Sequence, residues 1–137
     1  MRLLLKAFKT EIAPTRKQKG KIICSIGIAR FLYNQYVAYN KKLYKMYQRG
    51  LLDSRQKHFV TAKDFDKYVN HNLKIKLPWI DECGSKARKK ALVNAENAFK
   101  KFFDGLAGFP RFKKKSYQDV KLYFPKNNKG DWRIWRN

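Results

Sequence analysis

Four cations crowd the start of a predicted helix in this chain. Ser85 precedes an apolar-periodic stretch that reaches about Asp104, and Lys86, Arg88, Lys89 and Lys90 follow it immediately. A helix N-terminus carries partial positive charge and unpaired N–H groups, so a cation there costs about 0.3–1 kcal/mol. Amides, dipole and lysines together would suit a docking anion such as a phosphate. The alternative is a solvated basic turn that tolerates the small cost. A second cluster, Lys113-Lys114-Lys115 beside Arg111, is interleaved with Phe109 and Phe112, which would hold it near the core. A charge run is otherwise commonly a solvated loop. A third group, Arg30, Asn34, Lys41, Lys45 and Arg49, falls on one side of a predicted long helix and could track a phosphate backbone. Arg30 or Asn34 could read a base edge, or either could be internal, bonding a helix end. Tyr33, Tyr44 and Tyr47 could stack on bases, though tyrosines at helical spacing more commonly belong to a core or its rim.

No catalytic constellation accompanies these cations. Metal-dependent phosphodiester hydrolysis needs carboxylates converging on one or two magnesium ions. Asp53, Asp64, Asp66, Asp81, Glu82 and Asp104 fall mostly near helix ends and in loops, and the pair Asp81-Glu82 precedes a helix, where a loop or capping role explains it. No nucleophile pairs with a histidine, and His58 and His71 lack a second ligand at metal spacing and read as surface residues. Cys24 and Cys83 stand alone, without a C-x-x-C or Cys/His cluster. They read as two small buried thiols in a reducing compartment. The residues therefore describe a binder with no catalytic or metal-ligating residue, no cofactor and no small-molecule substrate.

The whole chain points the same way. Its 137 residues hold 33 Lys+Arg against 10 Asp+Glu, a formal charge of +23. A compact body so charged repels itself unless a polyanion neutralises it, and a basic domain of this size is the electrostatic footprint of a phosphate binder. Hydrophobic residues make up 44% and aromatics 15%, too many for a disordered basic tail, so the charge is laid over a folded core. The longest apolar run, Ile22 to Ala29, is far too short to span a bilayer. Lys6 and Lys9 interrupt the leader-like Met1-Arg2-Leu3-Leu4-Leu5. The expected location is the cytoplasm, at the nucleoid in a prokaryote, with no membrane partner.

These residues need elements to position them. Arg2 to Ile12 alternates as a strand should, and Pro14 ends it. Thr15 with Gln18 fits a capping box that opens a short helix to about Ser25. Gly27 marks a turn, and a long helix follows from about Ile28 to Arg49, with Ile28, Phe31, Leu32, Tyr36, Tyr39, Leu43 and Met46 on its apolar face. Thr61 caps another helix, to about Lys76, and Pro78 breaks it, with Trp79-Ile80 anchoring the loop. Ser85 caps the last helix, whose apolar face is Ala87, Ala91, Leu92, Ala95, Phe99, Phe102 and Phe103, and Gly105 and Gly108 stop it. Val120, Leu122 and Phe124 alternate as a strand; a turn over Asn127 to Gly130 leads to a second strand with Trp132 and Ile134, cut off at Asn137. The expected class is α+β, mainly α: a small sheet with an inserted helical lobe.

The order of residues resembles a known family. Ala13-Pro14-Thr15, Gln18 and Arg30-Phe31-Leu32-Tyr33-Asn34 are similar to the opening of the OrfB/TnpB insertion-sequence proteins, transposase-associated chains with a helix-turn-helix N-terminus. The resemblance continues through Pro78-Trp79-Ile80, Ser85 with Ala91-Leu92, and Ala98-Phe99-Lys100-Lys101-Phe102-Phe103. It closes on its most specific block, Gly108-Phe109-Pro110-Arg111-Phe112-Lys113, and so covers nearly the whole chain. It implies an RNA-guided DNA endonuclease family related to type V CRISPR effectors. It also implies a division into a first strand of a wedge-like β unit (1–14), a helical recognition lobe (15–106) and a truncated continuation of the β unit (107–137): a helical recognition lobe inserted into an incomplete wedge-like β-barrel. The implied partners are DNA and a guide RNA, with the helix from Ser85 near the short motif beside the DNA target. Lys89 stands where the family often has Gln, and Arg88 where an apolar residue is usual; both changes would add phosphate affinity. The RuvC-like nuclease domain and zinc ribbon of the family lie beyond the matched order, so the chain is expected not to cut DNA. Two other readings stay open, a stand-alone helix-turn-helix DNA binder or repressor and an RNA-scaffold protein of ribosomal type.

Overall fold

The computed structural model describes residues 11–115. The first helix, α1 (Arg16–Gln48), is continuous over 33 residues. Thr15 opens it with the expected reciprocal box: its hydroxyl accepts from the Gln18 N–H at 3.2 Å, and Gln18 Oε1 accepts from the Thr15 N–H at 2.9 Å. The turn expected at Gly27 is absent. A glycine inside a helix costs about 0.8–1 kcal/mol relative to alanine, but Ser25, Ile28, Ala29, Leu32, Tyr33, Tyr36, Val37 and Asn40 are all buried along α1. Their burial on both sides of residue 27 outweighs one weak position. Gly50 ends the helix with φ 69°, a left-handed conformation that glycine adopts without a Cβ clash. There the Leu51 N–H bonds the Met46 carbonyl and the Gly50 N–H bonds the Tyr47 carbonyl, the paired closure of a Schellman end.

After a loop, α2 (Ala62–Tyr68) starts at Thr61, whose hydroxyl accepts from the Asp64 N–H at 3.3 Å. It passes through a π-helical turn (Val69–Leu73) into a last α turn, α3 (Lys74–Lys76). Pro78 then begins a 3-10 turn (Pro78–Glu82), where an imino acid loses no hydrogen bond. The final helix, α4 (Ser85–Phe103), has Gly84 at its N-cap with no side-chain cap, so Ser85 is the first helical residue rather than the cap expected of it. The Leu106 N–H to Lys101 carbonyl and Gly105 N–H to Phe102 carbonyl bonds repeat the end of α1.

The core lies where α1, α2 and α4 meet. Ile28, Leu32, Tyr36 and Val37 pack with Phe65 and Val69 and with Leu92, Ala95 and Phe99, and Ile80 and Cys83 close one end. Tyr36 is the hub: its ring meets Phe65 and Phe99 edge-on, with centroids at 5.4 and 6.0 Å, and its hydroxyl donates to the Val60 carbonyl at 2.7 Å. Burial pushes the Tyr36 hydroxyl well above its ordinary pKa, so it stays a donor. Asn40, buried on the same face, accepts from the Val60 N–H at 2.8 Å and donates to the Val60 carbonyl at 3.2 Å. The Glu96 carboxylate accepts from the Ala62 N–H, so α4 supplies the start of α2 with an acceptor.

The expected class is overturned. The described residues are helical, with no strand, sheet or barrel among them, so the α+β reading with a helical lobe inserted into an incomplete wedge-like β-barrel does not hold for them. The strand residues read at Val120–Phe124 and Trp132–Ile134, and most of Arg2–Ile12, lie outside the described residues. Within them, the stretch 107–115 carries no strand ladder. It packs instead on the helices through Phe109, whose ring lies 5.1 Å from Phe102 and 5.5 Å from Phe99. Its backbone partner at Lys113 is a side chain, Asn34.

Candidate nucleic-acid interface

Two of the three expected cation clusters come together on α1. Asn34 Nδ2 donates to the Lys113 carbonyl at 2.9 Å, and Asn34 Oδ1 accepts from the Lys113 N–H at 2.8 Å. A side-chain amide thus offers the donor and acceptor that a neighbouring strand would offer. Around this clasp, the Lys113 ammonium lies 4.4 Å from the Tyr33 ring centroid and the Lys41 ammonium 5.4 Å from that of Phe112, both within cation–π range. The segment from Arg111 to Lys115 is exposed, with Lys114 and Lys115 following Lys113 away from the clasp.

Further along α1, Lys41, Lys42, Lys45 and Arg49 join Ala38, Met46 and Phe112 around an open groove of about 420 Å³. Lys41, Lys45 and Arg49 follow one another at four-residue steps, about 6 Å apart along the helix. None of these four cations is ion-paired among the described residues; Asp64 pairs with Lys57, Asp81 with Lys74 and Arg88, and Glu96 with Lys100. Like charges left together on one face favour an incoming polyanion. Lys42 was not singled out from the sequence, although its four-residue step from Ala38 and three-residue step to Lys45 put it on this face. Arg30 is half-buried beside Gly27. Asn34 turns toward the Lys113 backbone, which is neither a base edge nor the helix end that stood as its alternative. Of the tyrosines, Tyr33 lies under Lys113, Tyr44 packs against Phe102 and Phe109, and Tyr47 stacks on His58 at 4.3 Å.

The start of α4 is a separate place. Lys89 is exposed and Lys86 and Lys90 are half-buried, but Arg88 turns inward and is only 5% exposed. Its Nη1 donates to the carbonyls of Cys83 and Ile80, at 2.8 and 3.3 Å, and to Asp81 Oδ1 at 3.2 Å. The guanidinium therefore fastens α4 to the 3-10 turn before it instead of facing a phosphate. Lys74, bonded to Asp81 at 2.8 Å, holds that carboxyl below the usual carboxylate range, and Arg88 adds to the effect. Asp81 and Glu82 also line a hollow of about 670 Å³ between the start of α1 and Gly84, so acids face this end of α4 as well as lysines. Cys24, expected to be buried, is exposed. Its thiol donates to Glu82 Oε2 at 3.0 Å, and that carboxylate raises the thiol pKa. Cys83 is buried, as expected. Among the described residues no three His, Cys, Asp or Glu side chains gather as a metal site, and no helix is long and apolar enough to cross a membrane.

Comparison with known proteins supplies the class. Residues 1–49 match the helix-turn-helix domain of OrfB proteins of the IS605 type. The resemblance read from Ala13-Pro14-Thr15 to Asn34 is thereby borne out: this part of the chain is similar to the OrfB-type helix-turn-helix domain. Over the described part of that match the backbone is the single helix α1. The chain is also similar to the Escherichia coli (strain K12) protein named "Putative RNA-guided DNA endonuclease InsQ", with 26% identity over 119 residues. That alignment takes in 87% of this chain and 28% of InsQ, so the chain spans under a third of that relative's length.

Proposed function

We propose that this chain binds DNA together with a guide RNA as the recognition portion of an OrfB/TnpB-type protein, and that residues 1–137 do not themselves cut nucleic acid. The observation that carries the reading is the cation row Lys41, Lys42, Lys45 and Arg49, without ion pairs among the described residues, joined by the Lys113–Lys115 segment that Asn34 clasps to α1. Such a surface attracts phosphates by charge, and each phosphate neutralised on duplex DNA steepens the salt dependence of affinity by about 0.9 log units per log unit of salt. The likeness to InsQ supports DNA and RNA as the partners. Lys86, Lys89 and Lys90 extend the proposed surface at the α4 start, whereas Arg88 serves it only by holding that helix in place.

The test is fluorescence anisotropy with duplex DNA and with structured RNA at several salt concentrations. Replacing Lys42, Lys45 and Arg49 together by Gln should lower the slope on duplex DNA by about 2–3 and weaken every sequence alike. Lys86→Glu with Lys89→Glu should weaken DNA binding strongly if α4 takes part; unchanged affinity would return its start to a solvated turn. Absence of salt-dependent affinity for any nucleic acid would overturn the whole reading. Sequence-selective duplex binding with no RNA present would favour a stand-alone helix-turn-helix DNA binder. Magnesium-dependent nicking of a plasmid by the purified chain would contradict the absence of nuclease activity.

A further inference from the structure

The α1 groove holds one feature that phosphate attraction does not use. Phe112 lies on its wall, 48% exposed, in a segment whose other aromatic, Phe109, is packed into the helices. Exposing that much of a phenylalanine to water is unfavourable by the ordinary hydrophobic rule, and the Asn34 clasp holds the backbone of the next residue against α1. Beside it runs a single file of cations at four-residue steps, Lys41, Lys45 and Arg49, with Lys42 on the same wall. A single file on one helix meets one strand of phosphates. Such a row can follow the phosphates of one strand, and the exposed Phe112 beside it offers a face that an unpaired base can reach and a stacked, paired one cannot. A basic track with an exposed aromatic at its side is the arrangement by which proteins hold unpaired strands: the backbone follows the charge and a base stacks on the ring.

We propose that this groove takes an unpaired stretch of nucleic acid, with its phosphates along Lys41, Lys45 and Arg49 and one base stacked on Phe112. The proposal rests on the nucleic-acid-binding reading above and deepens it by naming the strandedness and the residue that reads it. Phe112 supplies a π face, which every base can meet, so the site selects unpaired over paired strands and is tolerant of sequence. Lys41, already over the ring at 5.4 Å, adds charge at the same spot and can pass to the adjoining phosphate as a base arrives.

The experiment uses the full chain and labelled oligonucleotides of one sequence in three forms, single-stranded, blunt duplex and single-stranded with abasic positions, in both deoxyribose and ribose series where the form can be made. Single strands should bind more tightly than the duplex, and Phe112→Leu should weaken them about 5- to 100-fold. The salt slope should stay the same, because no charge is removed. Phe112→Trp should restore affinity. The abasic strand should lose a similar factor with the unaltered protein, which keeps the test independent of how any variant folds. Equal affinity of Phe112→Leu and the parent for single strands, or full affinity for the abasic strand, overturns the stacking proposal while leaving phosphate binding intact. Tighter binding of the duplex overturns the single-strand assignment. Loss of all nucleic-acid binding by the unaltered protein is a different result and overturns the parent reading.

Discussion

Arg88 shows how a charge read from sequence can be spent inside a protein. Its position in a run of cations suggested a phosphate contact, and its departure from the apolar residue usual in the family suggested added affinity. The apolar preference was the better guide, because residue 88 faces inward and its guanidinium is accommodated by two carbonyls and Asp81. Arg88→Met should therefore lower stability by about 2 kcal/mol through unpaired carbonyls, partly offset because a buried ion pair is costly to desolvate. Urea unfolding measures the loss, and the salt slope of binding should not move. Asn40 was overlooked for the complementary reason. A polar residue one turn after Tyr36 on a buried stripe was itself a signal, since a buried amide needs partners, but the partner, Val60, lies 20 residues away and no local rule names it. Asn34 was expected to read a base edge or bond a helix end; it bonds the Lys113 backbone, which only the fold could bring to it.

At the scale of elements, local chemistry was legible where the bonds are local. The capping box at Thr15, the cap at Thr61, the break at Pro78 and the glycine ends at 50 and 105 all depend on residues within a few positions of one another. Gly27 misled because a glycine is a turn signal only when nothing on either side wants to stay helical. In α1 the buried stripe continues through it. Gly27→Ala tests this directly: a Cβ there would meet only Arg30 Nη2, at 3.9 Å, so the change should stabilise the protein by up to about 1 kcal/mol. Thermal unfolding that showed no gain, or a loss, would mean that residue 27 needs a conformation alanine resists. The β expectation failed within the described residues for a related reason. The stretch after Gly108 has the aromatic and basic composition of an edge, but its hydrogen-bonding needs at Lys113 are met by one amide from a helix.

For the molecule as a whole, composition supports the proposed partner class, whereas the expected α+β architecture did not hold among the described residues. A charge of +23 on 137 residues requires no fold to be informative, and among the described acids Asp64, Asp81 and Glu96 are paired with nearby cations. Self-repulsion of that size should make stability depend on screening. The midpoint of thermal unfolding should rise as monovalent salt goes from about 10 mM to 150 mM, over which the Debye length falls from about 30 to 8 Å. A short oligonucleotide should raise it further by mass action. Circular dichroism measures both, and a midpoint indifferent to salt would mean that the charges are already compensated within the chain.

The clasp between Asn34 and Lys113 also sets an order of events in folding. It joins positions 79 apart in sequence, and closing a loop of that length costs about 4 kcal/mol of chain entropy beyond a constant. Two hydrogen bonds cannot nucleate such a closure; they can only form once α1, α2 and α4 have packed and brought the ends near. During synthesis the helices can assemble before residue 113 has left the ribosome, so the Asn34 clasp joins the α1 cation row only after them. On the proposed reading of the groove, a nascent chain lacks the completed strand-binding surface until residue 113 has emerged.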